Sequence, residues 1–347
     1  MSSTAKKIIV IWLITGCVLI FLQVIIGGVT RLTGSGLSIT EWKPIVGAVP
    51  PLNESQWIER FDEYKQIVQF KEMNQDMTLS EFKFLFFWEY FHRLWARLMG
   101  FVFIIPFAYF LLKKWLDKKL IGYISAIVIW GGVVGLYGWI MVKNGLTGLF
   151  VPPIFLSIHL ILALSLFAYL VWISTYVATI DAKPNAVDFK NKNLLFSIFI
   201  LVFIQIFMGG LVSGSKAGLS HPTWPDMSGE LIPSTLMSMQ ASFNGLLHYD
   251  PTDFWARTFI QFAHRSIAYI ILLMTAIVFL KNKNTSNNIT KTAVYIFIFS
   301  VFFQVIIGIL TVLNCKGGIP VFWGVMHQVG AMLLIASCTF LLTHSRR

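Results

Sequence analysis

Eight stretches of nearly uninterrupted apolar sequence decide what this chain can become. They run Ile8–Val29, Phe84–Leu112, Leu120–Val142, Pro153–Val177, Leu194–Ser213, Thr258–Leu280, Thr292–Asn314 and Ile319–Thr343. Each is near or above the ~20 residues with which an α-helix crosses a bilayer. A chain inside hydrocarbon has to satisfy every backbone N–H and C=O within itself, so runs of this length and spacing predict helices. The charges inside these runs fall only in the second and sixth: Glu89, Arg93, Arg97 and Arg265. With 56% hydrophobic and 12% charged residues, the 347-residue chain is excluded from the soluble globular class. The expected fold is an all-α integral membrane protein with eight transmembrane helices. Lys6 and Lys7 before the first run are also compatible with a secretory signal peptide. The run continues well past Cys17 without a small-residue cleavage site, so the first helix is expected to stay.

Lys and Arg set the orientation. Lys6, Lys7, Lys113, Lys114, Lys118, Lys119, Lys183, Lys190, Lys192, Lys281, Lys283, Lys291, Arg346 and Arg347 fall on one side, against Lys143 and Lys316 in the opposite short loops. The positive-inside bias then makes both termini cytoplasmic and puts the two long loops, 30–83 and 214–257, outside. The formal net charge of +11 is mostly this bias, with anionic lipid as its partner and no nucleic acid implied. Cys17 and Cys338 lie in apolar runs and Cys315 stands alone in a short outer loop, so no intramolecular disulfide framework is expected.

The chain repeats itself. FLQVIIGGVTRLTGSGLSITEW from Phe21 matches FIQIFMGGLVSGSKAGLSHPTW from Phe203 without a gap, pairing Gln23 with Gln205, Gly27 and Gly28 with Gly209 and Gly210, Ser38 with Ser220 and Trp42 with Trp224. His92-Arg93 is echoed by His264-Arg265, and His159 by His327. Residues 1–180 and 181–347 are therefore expected to form two pseudo-symmetric four-helix bundles, related as parallel repeats by an axis along the membrane normal. The glycine pairs suit close helix packing, and the two tryptophans suit the membrane interface.

Of seven histidines, His92, His159, His264 and His327 lie inside helices that enter from the outer side. Counted from Phe84, Pro153, Arg257 and Pro320 they sit six to eight residues in, roughly 9–12 Å below the boundary at about 1.5 Å per residue. One such histidine is equally consistent with a hydrogen bond between helices. Four at one level, two in each half, suit two imidazole pairs each gripping a haem iron between helices of a bundle. Zinc would need three or four ligands together, and no Cys, Asp or further His at ligand spacing joins either pair.

The halves differ at one point. Glu89 lies three residues before His92, on the same helix face, where the second half has Gln261 before His264. A carboxylate at this depth is costly unless paired. It is either half of an ion pair with Arg93 or Arg97, or a group that accepts a proton or stabilises positive charge beside a bound macrocycle. Arg31, Arg93 and Arg265 either meet propionates from the outer side or snorkel to the interface.

The segments GGVTRLTGSGLSITEWKPIVGAVPP, EFKFLFFWEYFHRLWARLMGF, LVSGSKAGLSHPTWPDMSGELIP and VMHQVGAMLL resemble the haem A synthase family of bacteria and mitochondria, over nearly the whole chain. The resemblance implies an enzyme of the bacterial cytoplasmic membrane that oxidises a ring methyl of haem O to a formyl group, giving haem A for cytochrome oxidase assembly. It implies that His92 and His159 flank the substrate haem, that His264 and His327 ligate haem b, and that Glu89 is the catalytic acid residue. Implied partners are haem O, haem O synthase, cytochrome oxidase assembly factors and an electron acceptor, with self-association left open. Some members carry a cysteine pair in the first outer loop; residues 30–83 contain none, which puts a thiol-based redox step in doubt. The rival readings are a di-haem cytochrome that oxidises quinol without modifying haem, and a transporter built on the duplicated bundle.

Overall fold

The structure is a computed structural model that describes residues 2–41, 49–181, 191–238, 240–285 and 287–345. Its helices are α1 (Ser3–Leu32), α2 (Glu54–Tyr64), α3 (Val68–Met73), α4 (Leu79–Leu112), α5 (Lys118–Gly145), α6 (Pro153–Ala178), α7 (Lys192–Gly214), α8 (Thr235–Ser238), α9 (Asn244–Leu247), α10 (Phe254–Asn282), α11 (Asn288–Leu313) and α12 (Val321–Ser345). Among the described residues eight of these, α1, α4 to α7 and α10 to α12, are long and apolar enough to cross a membrane. The described residues contain no strand, only an isolated bridge between Met227 and Glu230. Trp42, Lys183, Lys190, Arg346 and Arg347 lie outside the described residues.

Several helices begin earlier than their apolar runs, α4 and α10 among them. In α4 the Thr78 side chain accepts from the Glu81 N–H while Glu81 reaches back to the Thr78 backbone, a capping box worth about 1 kcal/mol. In α10 the Asp253 side chain accepts from the Ala256 N–H. Polar caps carry the helices past the hydropathy boundary, to Leu79 rather than Phe84 and to Phe254 rather than Thr258. Distances from the helix start are therefore no common ruler for the four histidines; their contacts are.

The contacts among the long helices close into two rings. In one, α1 packs on α4 and α6, and α5 packs on the same two; in the other, α7 packs on α10 and α12, and α11 packs on those two. Contacts of α6 with α7 and α12, and of α1 with α12, join the rings. One apolar cluster, with Leu164, Ile198, Phe297 and Ile335, fills the second ring and the joint. Another, with Ile9, Leu13, Ile124 and Leu170, fills the first. At the joint α6 and α7 meet backbone to backbone: a Cβ on Gly210 would lie 2.7 Å from the Ser157 Cα, and one on Gly214 2.6 Å from the Pro153 Cα. Small residues permit this approach where lipid gives helices little hydrophobic reason to associate.

At the end bearing the long loops the two rings differ. Over α4, α2 and α3 form a roof around the buried Phe61, Tyr64 and Phe82, with Leu37 and Val151 beneath. The Tyr64 hydroxyl donates to Gln69 Oε1 at 3.0 Å and accepts from Asn74 Nδ2 at 2.7 Å. Among the described residues, the second ring is covered by short elements, a helical turn at Ala217–Leu219 and the four-residue helices α8 and α9, with Leu231 and Met237 exposed.

Candidate active site

Each of the four intramembrane histidines rests on a glycine of the helix before it. A Cβ on Gly27 of α1 would lie 2.9 Å from His92 Cε1, on Gly138 of α5 3.3 Å from His159 Cε1, on Gly209 of α7 3.2 Å from His264 Cε1, and on Gly308 of α11 2.9 Å from His327 Cε1. A methyl group has no room at the two closest, so a side chain there would push the ring aside. The glycine pairs thus divide their work. Gly27 and Gly209 make room for imidazoles, while Gly28 faces Gln328 of α12 and Gly210 faces Ser157 of α6. The packing role expected for these pairs fits their second members; the first members serve the site.

Three glutamines accompany three of the rings. Gln23 Nε2 lies 3.2 Å from Nδ1 and 3.3 Å from Nε2 of His92, and donates to the His92 carbonyl at 3.2 Å. Gln205 Nε2 lies 3.3 Å from His264 Nε2 and donates to the His264 carbonyl at 2.9 Å. Gln304 Nε2 lies 3.4 Å from His327 Nε2. Nothing in the sequence reading marked these glutamines as functional, although Gln23 and Gln205 were visible as a repeated pair. The usable signal was Gln-x-x-x-Gly in α1, α7 and α11, which places an amide one helical turn from the glycine under each ring.

The ring centroids of His264 and His327 are 6.3 Å apart with planes at 75°. Two imidazoles on one iron, with bonds of about 2 Å and centroids about 1.2 Å behind the nitrogens, need about 6 Å between centroids. The pair therefore fits a shared haem iron. Buried Nδ1 atoms of His159, His264 and His327 have no hydrogen-bond partner within the protein, as suits nitrogens reserved for another group. His92 and His159 are close enough to interact electrostatically, and Tyr137 stacks beside His159 at 6.4 Å between ring centroids. No group of three or more His, Cys, Asp or Glu able to hold a metal ion occurs among the described residues.

Glu89 is 2% exposed and fully engaged. Its Oε2 accepts from the Ser38 hydroxyl at 2.7 Å and the Ile39 N–H at 2.9 Å, and its Oε1 from Arg93 at 2.5 Å. Arg93 also donates to the carbonyls of Ile39 at 3.0 Å and Glu41 at 3.2 Å. The expected ion pair forms with Arg93, and the loop that follows α1 folds back to complete it. Charge-assisted bonds to both carboxylate oxygens are what keep an acid tolerable at this burial.

The second half reproduces this frame without the charge. Gln261 Nε2 donates to the His221 carbonyl at 2.9 Å, and Arg265 donates to the carbonyls of His221 at 2.9 Å and Asp226 at 2.8 Å. Ser220, the counterpart of Ser38, leaves its buried hydroxyl unpartnered. His221 sits in the loop between the hydroxyls of Ser228 and Thr258, each 3.0 Å away; burial, then Arg265, hold it below the usual imidazole range. Arg31 caps the end of α7, donating to the carbonyls of Ser213 at 3.2 Å and Gly214 at 3.4 Å, where the helix dipole favours a cation. The described cysteines Cys17, Cys315 and Cys338 are all free.

A family model described as cytochrome oxidase assembly protein matches residues 10–339. Curated relatives named heme A synthase include one from Flavobacterium psychrophilum, 36% identical over 348 aligned positions that cover 97% of this chain and 98% of that protein. Another, from Nitrosospira multiformis, is 38% identical, covering 99% of this chain and 94% of its own. A third, from the Wolbachia of Brugia malayi, is 36% identical over 100% of this chain and 99% of its own.

Proposed function

The chain belongs to the cytochrome oxidase assembly protein family, and from that premise we propose that it oxidises one methyl on the porphyrin rim of haem O to a formyl group, yielding haem A. Similarity along the full length to proteins named heme A synthase carries the assignment. The buried carboxylate of Glu89, present beside one histidine pair and replaced by the Gln261 amide beside the other, supports a division of labour between the halves.

The eight helices form two bundles, residues 1–180 and 181–347, arranged as parallel repeats with both termini cytoplasmic and the histidine sites toward the outer face. The repeated sequence, the two rings of helix contacts and the lysine distribution support that arrangement. His92 and His159 hold the iron of the substrate haem, and His264 and His327 hold haem b. When bound, haem b supplies one-electron transfer.

Converting a methyl to a formyl group takes one water and releases four protons and four electrons. Protons leaving the methyl carbon and the attacking water need an acceptor, and Glu89, three residues from His92 on one helix face, is that acceptor. As electrons leave the rim carbon, positive charge grows beside the ring, and the carboxylate offsets it. Ser38, Ile39 and Arg93 fix the direction of the carboxylate, while the roof of α2 and α3 limits water around it. The electrons pass to an acceptor of the membrane or its outer side. Haem O synthase supplies the substrate, and oxidase assembly factors receive the product.

Expressing the chain in a host that accumulates haem O, then extracting and separating the haems, tests the assignment. Haem A is the expected product. A coloured protein that leaves haem O unchanged would make it a di-haem electron carrier, and a colourless one would revive the transporter reading.

A further inference from the structure

Three of the four histidines share an environment that the fourth lacks. Gln23, Gln205 and Gln304 each stand four residues before the glycine under the ring and touch a ring nitrogen. The residue four positions before Gly138, under His159, is Val134, a partly buried apolar side chain in the cluster around Leu170. Of the four glycine-to-ring contacts, the one at His159 is also the widest.

An imidazole that binds iron through one nitrogen carries an N–H on the other. That N–H almost always finds an acceptor, which fixes the ring and raises its basicity as a ligand. The three glutamines can supply one, because each has a buried Oε1 without a partner. The terminal torsion of glutamine is soft, so its amide can turn toward the ring. His159 has the same buried, partnerless Nδ1 and no amide beside it. On the reading of the sites proposed above, we infer that the glutamines are positioning residues for the haem ligands and that His159 is the exchangeable ligand of the substrate site. Haem in the second half is gripped by two supported imidazoles and stays. Haem in the first half is gripped by one supported and one unsupported imidazole, so substrate enters and product leaves by breaking the iron bond to His159.

The test uses the purified full-length protein with both haem sites filled. It is mixed with excess apomyoglobin, and haem transfer is followed by visible spectroscopy. The expected trace has a fast phase and a slow one, the slow one absent from His264→Ala. Val134→Gln, which gives His159 its missing partner, should slow the fast phase about tenfold, and Gln304→Val should speed the slow phase by about the same factor, the usual size of such support for a metal ligand. Gln304→Val should also raise the reduction potential of the second-half haem, since a less basic imidazole stabilises the ferric state less. Should Val134→Gln fail to fold, Gln23→Ala, which only removes atoms, should hasten the fast phase. Transfer rates and potential unchanged in protein that holds two haems would overturn the inference and leave the site assignment standing. Protein that binds no haem would overturn the site assignment itself.

Discussion

The two halves place nearly the same side chains around their histidine pairs, and the instructive difference is one atom. At Glu89 the side chain ends in two oxygens that accept from Ser38, Ile39 and Arg93. At Gln261 one oxygen is replaced by an NH2 that donates to the His221 carbonyl, while Arg265 donates to the same carbonyl. The arginine is kept in both, bound to the carbonyl of the same loop position, so it belongs to the frame that anchors the loop on the helix. Within that shared frame, the acid is what the first half has and the second lacks. A site that merely carries electrons gains nothing from a charge that is costly to bury, whereas a site that strips protons from a carbon needs one.

Four perturbations break or sharpen that contrast. The largest effect is expected from His264→Ala or His327→Ala. Either should remove haem from the second half, leave about half the haem per chain by pyridine haemochrome assay, and reduce haem A formation to background. Gly308→Ala comes next. A methyl 2.9 Å from His327 Cε1 has to displace the ring, an overpacking cost of about 1–3 kcal/mol, visible as lost haem and a lower melting temperature. Gly138→Ala, with 3.3 Å available at His159, should be milder.

Ser38→Ala follows. It removes one hydrogen bond to a buried carboxylate, so haem A formation should fall about tenfold with haem content unchanged, in line with the loss of about 1.5 kcal/mol for a bond to a charged group. The smallest effect belongs to Gln261→Glu. Arg265 is one turn away, as Arg93 is from Glu89, and the partnerless Ser220 hydroxyl is free to donate to the new carboxylate. The melting temperature should change by only a few degrees, and the second-half haem should become harder to reduce beside the added negative charge. A collapse of stability would mean that the two frames are less alike than their contacts indicate.

Much of this was legible in the sequence. Eight spans, four histidines and the glutamate that breaks the repeat can be read because hydropathy, residue type and spacing are local properties. The starts of α4 and α10 were missed because capping by Thr78 and Asp253 is polar and lies outside the apolar window. The grip of Ser38 and Ile39 on Glu89 was illegible because it joins a loop to a helix some fifty residues on, and nothing in the spacing encodes where a loop returns. Gln304 shares its pattern with Gln23 and Gln205 but sits in α11 rather than in the repeated segment, so a comparison of the halves alone passes over it.

The division of labour stands or falls with the acid. Glu89→Gln keeps the size of the side chain and removes its charge, giving the first half the residue type of the second. Expressed in a host that accumulates haem O, this variant should still purify with both haems bound and should yield haem O but no haem A on extraction. Haem A formed at the wild-type rate would contradict the account.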